Sequence, residues 1–423
     1  MTIGICEGVT TVPDNIINTR DKDNNMPIGT KLTGYDFWRI TLNGATRIVA
    51  PMVDQSELAW RLLSRRHGAQ LCYTPMLNAR MILEHPSCRE REFQTHPEDH
   101  PLIAQFCGHD PMTILKAAKM VENQVEGVDL NLGCPQNIAR KGHYGSYLQD
   151  EWNLIREIVS LLDRELAVPV TAKIRVFDDP KKTVEYAKMI EGAGAQILTV
   201  HGRTRENKGE RTGVADWTKI QLVKEAISIP VFANGNILFK DDFERCLAAT
   251  GADGVMTAEG NLYNPAIFED KYPLVWDMVD EYLAICRDET PAPLTAVRGH
   301  LFKLYRPCLA SFVKHRKELG EAKSFMEICQ VAADLNRELR LKYEQADGHL
   351  SITPSNHSSS GLTSPEWFCR SYIRDRILFQ NTYNCNYIQS CSSLEFIAEE
   401  PKCKFSRTEC FQSSSSIPIH VKE

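Results

Sequence analysis

The chain has 423 residues, 43% of them hydrophobic and 25% charged, and a net charge of -6 at neutral pH. This is the composition of an ordinary globular protein with material for a large core, and it excludes a chain that holds nucleic acid by bulk positive charge, though not one with a local basic face. Its fourteen cysteines lie mostly inside apolar segments with no secretory leader ahead of them, which reads as reduced thiols in the cytosol or nucleus, and no apolar run reaches the ~18 residues of a membrane span.

Residues 1–32 mix Gly, Asn, Asp and Thr without periodicity and are expected to form a disordered extension. Eight short apolar runs follow, each with the look of a buried parallel strand: Arg47 to Val53, Ala69 to Thr74, Leu102 to Phe106, Val128 to Leu132, Val168 to Val176, Gln196 to Val200, Pro230 to Ala233 and Ala252 to Thr257. Most are separated by helical spacing, as in Leu58 to Leu63, Ile114 to Val121, Trp152 to Leu162, Val184 to Ile190 and Phe243 to Ala248. The alternation predicts an α/β fold with a parallel sheet, and eight repeats favour a closed (β/α)8 TIM barrel over residues 33–285 rather than an open doubly wound sheet. From 290 to 346 only helical spacing remains (Val297, Leu301, Leu304; Ile328, Val331, Leu335, Leu339), which predicts a small all-α domain. Between Arg298 and Gln345 it carries ten lysines and arginines against six acids. Residues 347–423, rich in Ser, Asn and Thr, are expected to be a largely disordered tail. Its Cys385, Cys391, Cys403 and Cys410 lack paired metal-site spacing, so no metal is expected.

Barrel chemistry sits at the carboxyl ends of the strands. Here these ends carry Pro51-Met52-Val53, Gln105, Asn131 with Cys134, Lys173 with Arg175, His201 with Arg203, Asn234-Gly235-Asn236, and Ala258-Glu259. Lys173 alternates with Ala172 and Ile174 in a strand that should be buried, so its ammonium needs an anionic partner, and the pyrimidine edge of a reduced flavin supplies one. The segments after strands seven and eight are where barrels commonly hold a phosphate on backbone amides, here that of a flavin mononucleotide.

Ala50-Pro51-Met52, Asn131-Leu132-Gly133-Cys134-Pro135, Lys173-Ile174-Arg175, His201-Gly202-Arg203-Thr204 and Asn234-Gly235-Asn236, in this order, resemble the tRNA-dihydrouridine synthase family over roughly residues 33 to 345. Met52-Val53-Asp54-Gln55-Ser56, Gly142-His143-Tyr144-Gly145 and Met256-Thr257-Ala258-Glu259-Gly260-Asn261 are most similar to its eukaryotic branch acting at positions 16 and 17 of the tRNA D-loop. The resemblance implies FMN, NADPH or NADH as reductant, tRNA as substrate and a C-terminal helical tRNA-binding domain, in a protein expected to be a monomer. Glu259 departs from the arginine many members carry near the phosphate. The tail keeps a similar stretch, Trp367-Phe368-Cys369-Arg370-Ser371-Tyr372-Ile373-Arg374, and then diverges.

The chemistry implied is reduction of a uracil carbon 5 to carbon 6 bond, with hydride at carbon 6 and a proton at carbon 5. Cys134 is the expected acid, since a free thiol titrates near pH ~8.5 and is protonated at neutrality. Asn131, Arg175 and Arg203 are expected at the substrate. Pro51, Met52, Val53, Gln105, Lys173, His201, Asn234, Gly235, Asn236, Ala258 and Glu259 are expected around FMN. The loop Arg140 to Gly145 is read either as a cover for the site or as a plain turn. Arg298, Lys303, Arg306, Lys314, Arg316 and Lys317 are the expected tRNA contacts. Two alternatives stand beside this reading: a flavin barrel reducing a free pyrimidine-like molecule, whose enzymes share a similar Asn-Leu-Ser-Cys-Pro motif, and a non-catalytic RNA-binding relative.

Overall fold

In the computed structural model the described residues are 31–209, 212–269, 271–346 and 365–372, so the expected extension, apart from its last two residues, and most of the expected tail lie outside them. Eight parallel strands form a closed ring: β1 Arg47–Val49, β2 Leu71–Tyr73, β3 Leu102–Cys107, β4 Gly127–Leu132, β5 Val170–Arg175, β6 Ile197–His201, β7 Val231–Asn234 and β8 Gly254–Thr257. Closure is explicit, because β1 pairs with both β2 and β8 and β2 pairs with β3. A two-residue strand, Leu77–Asn78, runs along the end of β3.

Helices α1 Leu58–Arg66, α2 Pro111–Lys119, α3 Trp152–Glu165, α4 Pro180–Gly192, α5 Trp217–Ala226 and α6 Lys240–Thr250 surround the ring. Asp110, Asp179 and Asp216 start three of them by accepting backbone N–H groups of the first turn, with proline at the first helical position of α2 and α4. Helix α5 has no clear sequence signal because it buries only Ile220 and Val223, too narrow a stripe to stand out.

Two-residue alternation sorts each strand. Val128, Leu130 and Leu132 face the helices with Ala104, Phe106, Ala172 and Ile174. The floor inside the ring is Ile48, Leu71, Tyr73, Ile103, Ile197, Phe232 and Met256, plugged from below by Phe37 and Leu42. Gly127 makes room for the plug, since a Cβ there would lie 3.2 Å from Phe37 Cζ. Above the floor the interior turns polar: pairing aligns Asn131, Lys173 and Thr199 in one row, and Arg175, His201 and Asn234 in the next row toward the mouth.

After β8 come α7 Val275–Asp288, α8 Leu294–Leu304, α9 Val313–Glu321 and α10 Phe325–Gln345. They share a second apolar cluster with α1, which is therefore the wall common to barrel and helices. At that wall the His300 ring stacks on Trp60 at 3.9 Å and hydrogen-bonds Glu57 at 3.0 Å, while the Tyr282 hydroxyl donates to the same carboxylate at 2.7 Å. Residues 365–372 are seated on these helices: Val275 N–H donates to Trp367 O and Cys369 N–H to Pro273 O, both at 2.9 Å, and Cys369 is buried. None of the helices among the described residues is long and apolar enough to cross a membrane, and the described cysteines are free thiols.

Candidate active site

The turn after β4 is held from both sides. Asn131 Nδ2 donates to Gln105 Oε1 at 2.7 Å, and Asn131 Oδ1 accepts from the backbone N–H of Gly133 at 3.1 Å and of Cys134 at 2.9 Å. This side chain-to-backbone turn fixes the cysteine where strand gives way to loop. Opposite, the Ser146 N–H and Oγ–H donate to Cys134 O at 3.1 and 3.0 Å. Gly145 makes that approach possible: its φ is +67°, and a Cβ there would sit 2.7 Å from Cys134 O and 2.9 Å from Cys134 Cβ. The loop 140–145 is thus closed against the cysteine. Cys134 is half-buried beside Cys107, Ala139, Tyr144, Met76 and Tyr147.

Beneath the turn, buried Gln105 donates from Nε2 to Asp129 Oδ2 at 2.8 Å, and the Thr171 hydroxyl donates to Asp129 Oδ1 at 2.6 Å. Burial pushes the Asp129 carboxyl up to about 6, opposed by the Thr171 and Gln105 hydrogen bonds and by Lys173. Lys173, next to Asn131 across the pairing, makes no hydrogen bond among the described residues. Burial pulls its ammonium down to about 8, aided by Arg175 and opposed by Asp129 and Cys134. The Thr199 hydroxyl in the same row is buried and makes no hydrogen bond among the described residues.

Toward the mouth, burial and the cations Arg175, Lys173 and Arg203 hold His201 well below the usual imidazole range. Arg203 Nη1 lies 3.1 Å from His201 Nε2. A guanidinium only donates, so that nitrogen accepts and the imidazole is neutral with its proton on Nδ1. The sequence places Arg175, Arg203 and Asn131 on substrate, whereas all three are engaged by protein. Arg175 Nε donates to Gly133 O at 2.9 Å, and its Nη1 to Thr204 O at 2.8 Å and Asn207 O at 3.0 Å, tying the cysteine turn to the loop after β6. Burial and Arg203 pull this guanidinium down to about 10. Arg203 Nη2 donates to Gly213 O at 3.0 Å and Asn236 Oδ1 at 2.7 Å. Lys208 Nζ donates to Pro135 O at 2.9 Å and Arg205 Nη1 to Ser146 O at 3.2 Å, closing the same seam.

Asn234 Nδ2 donates to Met256 O at 2.8 Å, joining β7 to β8. Gly235 adopts φ +112° where a Cβ would meet Ala215 Cβ at 2.6 Å, and Asn236 is left-handed at φ 61°. Ala258 and Glu259 begin the short helix Glu259–Tyr263, whose Gly260 backs so closely onto Ile237 O that no Cβ would fit. Pro51, Met52 and Val53 follow β1, the partner strand of β8; Met52 touches all three large apolar clusters, and Val53 is 46% exposed. Asp129, Thr171 and Thr199 also belong to the site and carry no motif signal of that kind, whereas Gly145 closes the Gly142-His143-Tyr144-Gly145 stretch that the sequence already singles out. The first three lie on the inward phase of their strands, a signal the alternation already contains.

A family description, Dihydrouridine synthase, matches residues 48–352. A Mus musculus protein named tRNA-dihydrouridine(16/17) synthase, NAD(P)(+)-specified and "-like", is 49% identical over 346 residues, spanning 81% of this chain and 71% of that one. The Schizosaccharomyces pombe protein named tRNA-dihydrouridine(16/17) synthase is 47% identical over 365 residues, spanning 81% and 91% of the two chains. Its Saccharomyces cerevisiae namesake is 45% identical over 374 residues, spanning 83% and 88%. With that match, and relatives of that identity along most of their length, the chain belongs to the dihydrouridine synthase family.

Proposed function

We propose that the protein reduces uridines 16 and 17 of the tRNA D-loop to 5,6-dihydrouridine, with NADPH or NADH as reductant, FMN as the bound flavin and Cys134 as acid. The positions and coenzyme follow the names of its relatives. The observation that carries the chemistry is the pairing of Cys134, pinned at the end of β4, with an inward ammonium, Lys173, that has no hydrogen-bond partner among the described residues.

The residues fit a flavin. Lys173 and the buried Thr199 hydroxyl, which makes no hydrogen bond among the described residues, offer donors inside the ring, and neutral His201 keeps an Nδ1 proton to donate. Gln105 retains one Nε2 hydrogen beyond its bond to Asp129. Pro51, Met52 and Val53 supply an apolar floor at the mouth. Gly235, Asn236, Ala258 and Glu259 supply backbone at the ends of β7 and β8 for the phosphate. When bound, FMN would pass a hydride from the nicotinamide coenzyme to carbon 6 of the uracil. Cys134 gives its proton to carbon 5 and regains it from solvent, so hydride and proton together saturate the bond. Asn131 serves by holding the Cys134 backbone, and Arg175 and Arg203 by holding the loops on either side.

The target uridine must leave the folded D-loop to reach the mouth. Among the expected tRNA contacts, Arg298 is committed to Ala322 O, Lys303 donates to Gly299 O and Arg306 lies 4.0 Å over the Tyr372 ring. On α10, Arg337, Arg340 and Lys342 are paired with Asp334, Asp280 and Glu366. Arg316, Lys317 and Lys323, on and just after α9, have no acidic partner among the described residues, and Lys314 has only Glu318 at 3.9 Å. These four are the phosphate contacts of choice.

The test is an anaerobic single turnover: reduce the bound flavin with NADPH, add unmodified tRNA or free uridine, and follow reoxidation. Reoxidation by tRNA alone, with dihydrouridine in the product, is expected. Equal reoxidation by uridine points to a small-molecule reductase, and a protein that takes up no flavin points to an RNA-binding relative.

A further inference from the structure

Directly beneath the cysteine turn the mechanism leaves the buried carboxyl of Asp129 unused. Asp129, Gln105 and Thr171 are sealed in the ring at 0%, 0% and 1% exposure, and Asn131 at 8%. Their hydrogen bonds form one line: Thr171 Oγ donates to Asp129, Gln105 Nε2 donates to Asp129, Asn131 Nδ2 donates to Gln105 Oε1, and the Gly133 and Cys134 amides donate to Asn131 Oδ1. A carboxamide turned by 180° exchanges its donor and acceptor, so each amide link has two possible senses. Resting on the function proposed above, we infer that Asp129 is a positioning residue for Cys134, whose acceptor-only carboxylate sets the sense of both carboxamides and thereby presents Asn131 Oδ1 to the cysteine turn.

Both ends of the line demand the same sense. An ionised carboxylate accepts only, so Gln105 must aim its NH2 at Asp129 and keep Oε1 for Asn131. Asn131 must then aim its own NH2 at Gln105, which leaves Oδ1 for the turn. The turn offers only N–H groups, so it requires that orientation too. Reversing either carboxamide sets donor against donor on one side and acceptor against acceptor on the other, in residues sealed from solvent. At neutral pH Asp129, pushed up to about 6, is predominantly ionised and keeps this property. Lys173 lies close enough to pull its titration back, and Tyr73 faces it from β2. The line ends on the Cys134 backbone, so what it controls is where the thiol stands relative to the flavin face and the uracil.

The test exchanges the carboxylate and the carboxamide. Gln105→Glu sets two carboxylates against each other across the present 2.8 Å bond. In Gln105→Glu with Asp129→Asn, the residue at 129 gives its NH2 to position 105 and its oxygen to Thr171, and position 105 still accepts from Asn131. Every hydrogen bond to the turn is restored at unchanged net charge. Both variants lose the same Gln105 donor toward flavin, so comparing them isolates the match between positions 105 and 129 on which the line rests. With flavin-loaded full-length protein, reduction by NADPH and reoxidation by tRNA are timed separately. Q105E is expected to be at least about 20-fold slower than the exchanged pair in tRNA-driven reoxidation, within the roughly 100-fold that a misplacement of about 1 Å in a reacting group costs. Flavin reduction should be equal in the two variants. A folded exchanged pair no faster than Q105E, or Q105E at the wild-type rate, would overturn the inference. If Q105E does not fold, turnover by the exchanged pair supports it; an exchanged pair that is inert or cannot fold overturns it, because its hydrogen bonds balance. Wild-type protein that tRNA fails to reoxidise would instead refute the function on which the inference rests.

Discussion

Substituting Gly145 with alanine perturbs Cys134 without touching the thiol. The new Cβ would lie 2.7 Å from Cys134 O, 2.9 Å from Cys134 Cβ and 3.1 Å from Cys134 N. Carbon atoms prefer to be about 3.5–4.0 Å apart, so the overlap of roughly 0.6–1 Å must be relieved by moving the cysteine turn or the loop that bears on it. The φ of +67° adds left-handed strain of about 1–2 kcal/mol for alanine. Thermal unfolding should therefore report a loss of at least that size. The reaction should suffer more: a shift of this order in the proton donor costs about 100-fold in rate. The assay is stopped-flow flavin spectroscopy in two halves, NADPH reducing the bound flavin and tRNA reoxidising it. The first half should match wild type because Gly145 sits on the cysteine side of the site. A G145A protein that tRNA reoxidises at the wild-type rate would refute the reasoning.

Lys173→Met should abolish flavin retention, read as the flavin-to-protein absorbance ratio, while the flavin-free protein stays folded. The lowered Lys173 pKa means that the unfolded chain binds more protons between pH 8 and the usual lysine range, so flavin-free wild type should grow more stable as pH rises through that window and K173M should not. His67 bridges Glu269 at 3.3 Å and Glu281 at 2.9 Å, and its pKa is raised by those partners against its burial. The stability it adds is fully present below the unfolded value of about 6.5 and is lost as pH rises through the raised folded value, so His67→Gln should flatten melting temperature between pH 6 and 8. Neutralising Arg316, Lys317 and Lys323 together should weaken tRNA binding for all sequences alike and reduce the salt slope by about 0.7–0.9 for each phosphate left without its cation, whereas neutralising ion-paired Arg340 should do little.

The barrel is legible in the sequence because buried parallel strands and amphipathic helices alternate with periods that sequence displays, and because Cys134, Lys173 and His201 fall at strand ends. Lys173 is the clearest case: Ala172 and Ile174 face the helices, so the residue between them has to face inward. Asp129 obeys the same alternation yet stands out less, since a motif draws attention to its reactive member rather than to what holds it. What sequence does not display is which carbonyls the arginines find. Arg175 meets Thr204 O and Asn207 O only because the loop after β6 folds back over β5, and Arg203 meets Gly213 O for a similar reason. These are contacts between distant backbone atoms, which carry no residue signature. The basic count on the helices misleads in part for the same cause: Arg337, Arg340 and Lys342 look alike in sequence to Arg316 and Lys317, and only packing reveals which ones have an acid beside them.

Whether Cys134 is the acid is decided most sharply by Cys134→Ala in an anaerobic single turnover with tRNA lacking dihydrouridine. The variant is expected to bind flavin and tRNA as wild type does and to be reduced normally by NADPH, yet to lose tRNA-driven reoxidation by about 100-fold or more, the contribution of a positioned acid. Reoxidation at the wild-type rate, with dihydrouridine appearing in the tRNA, would contradict it.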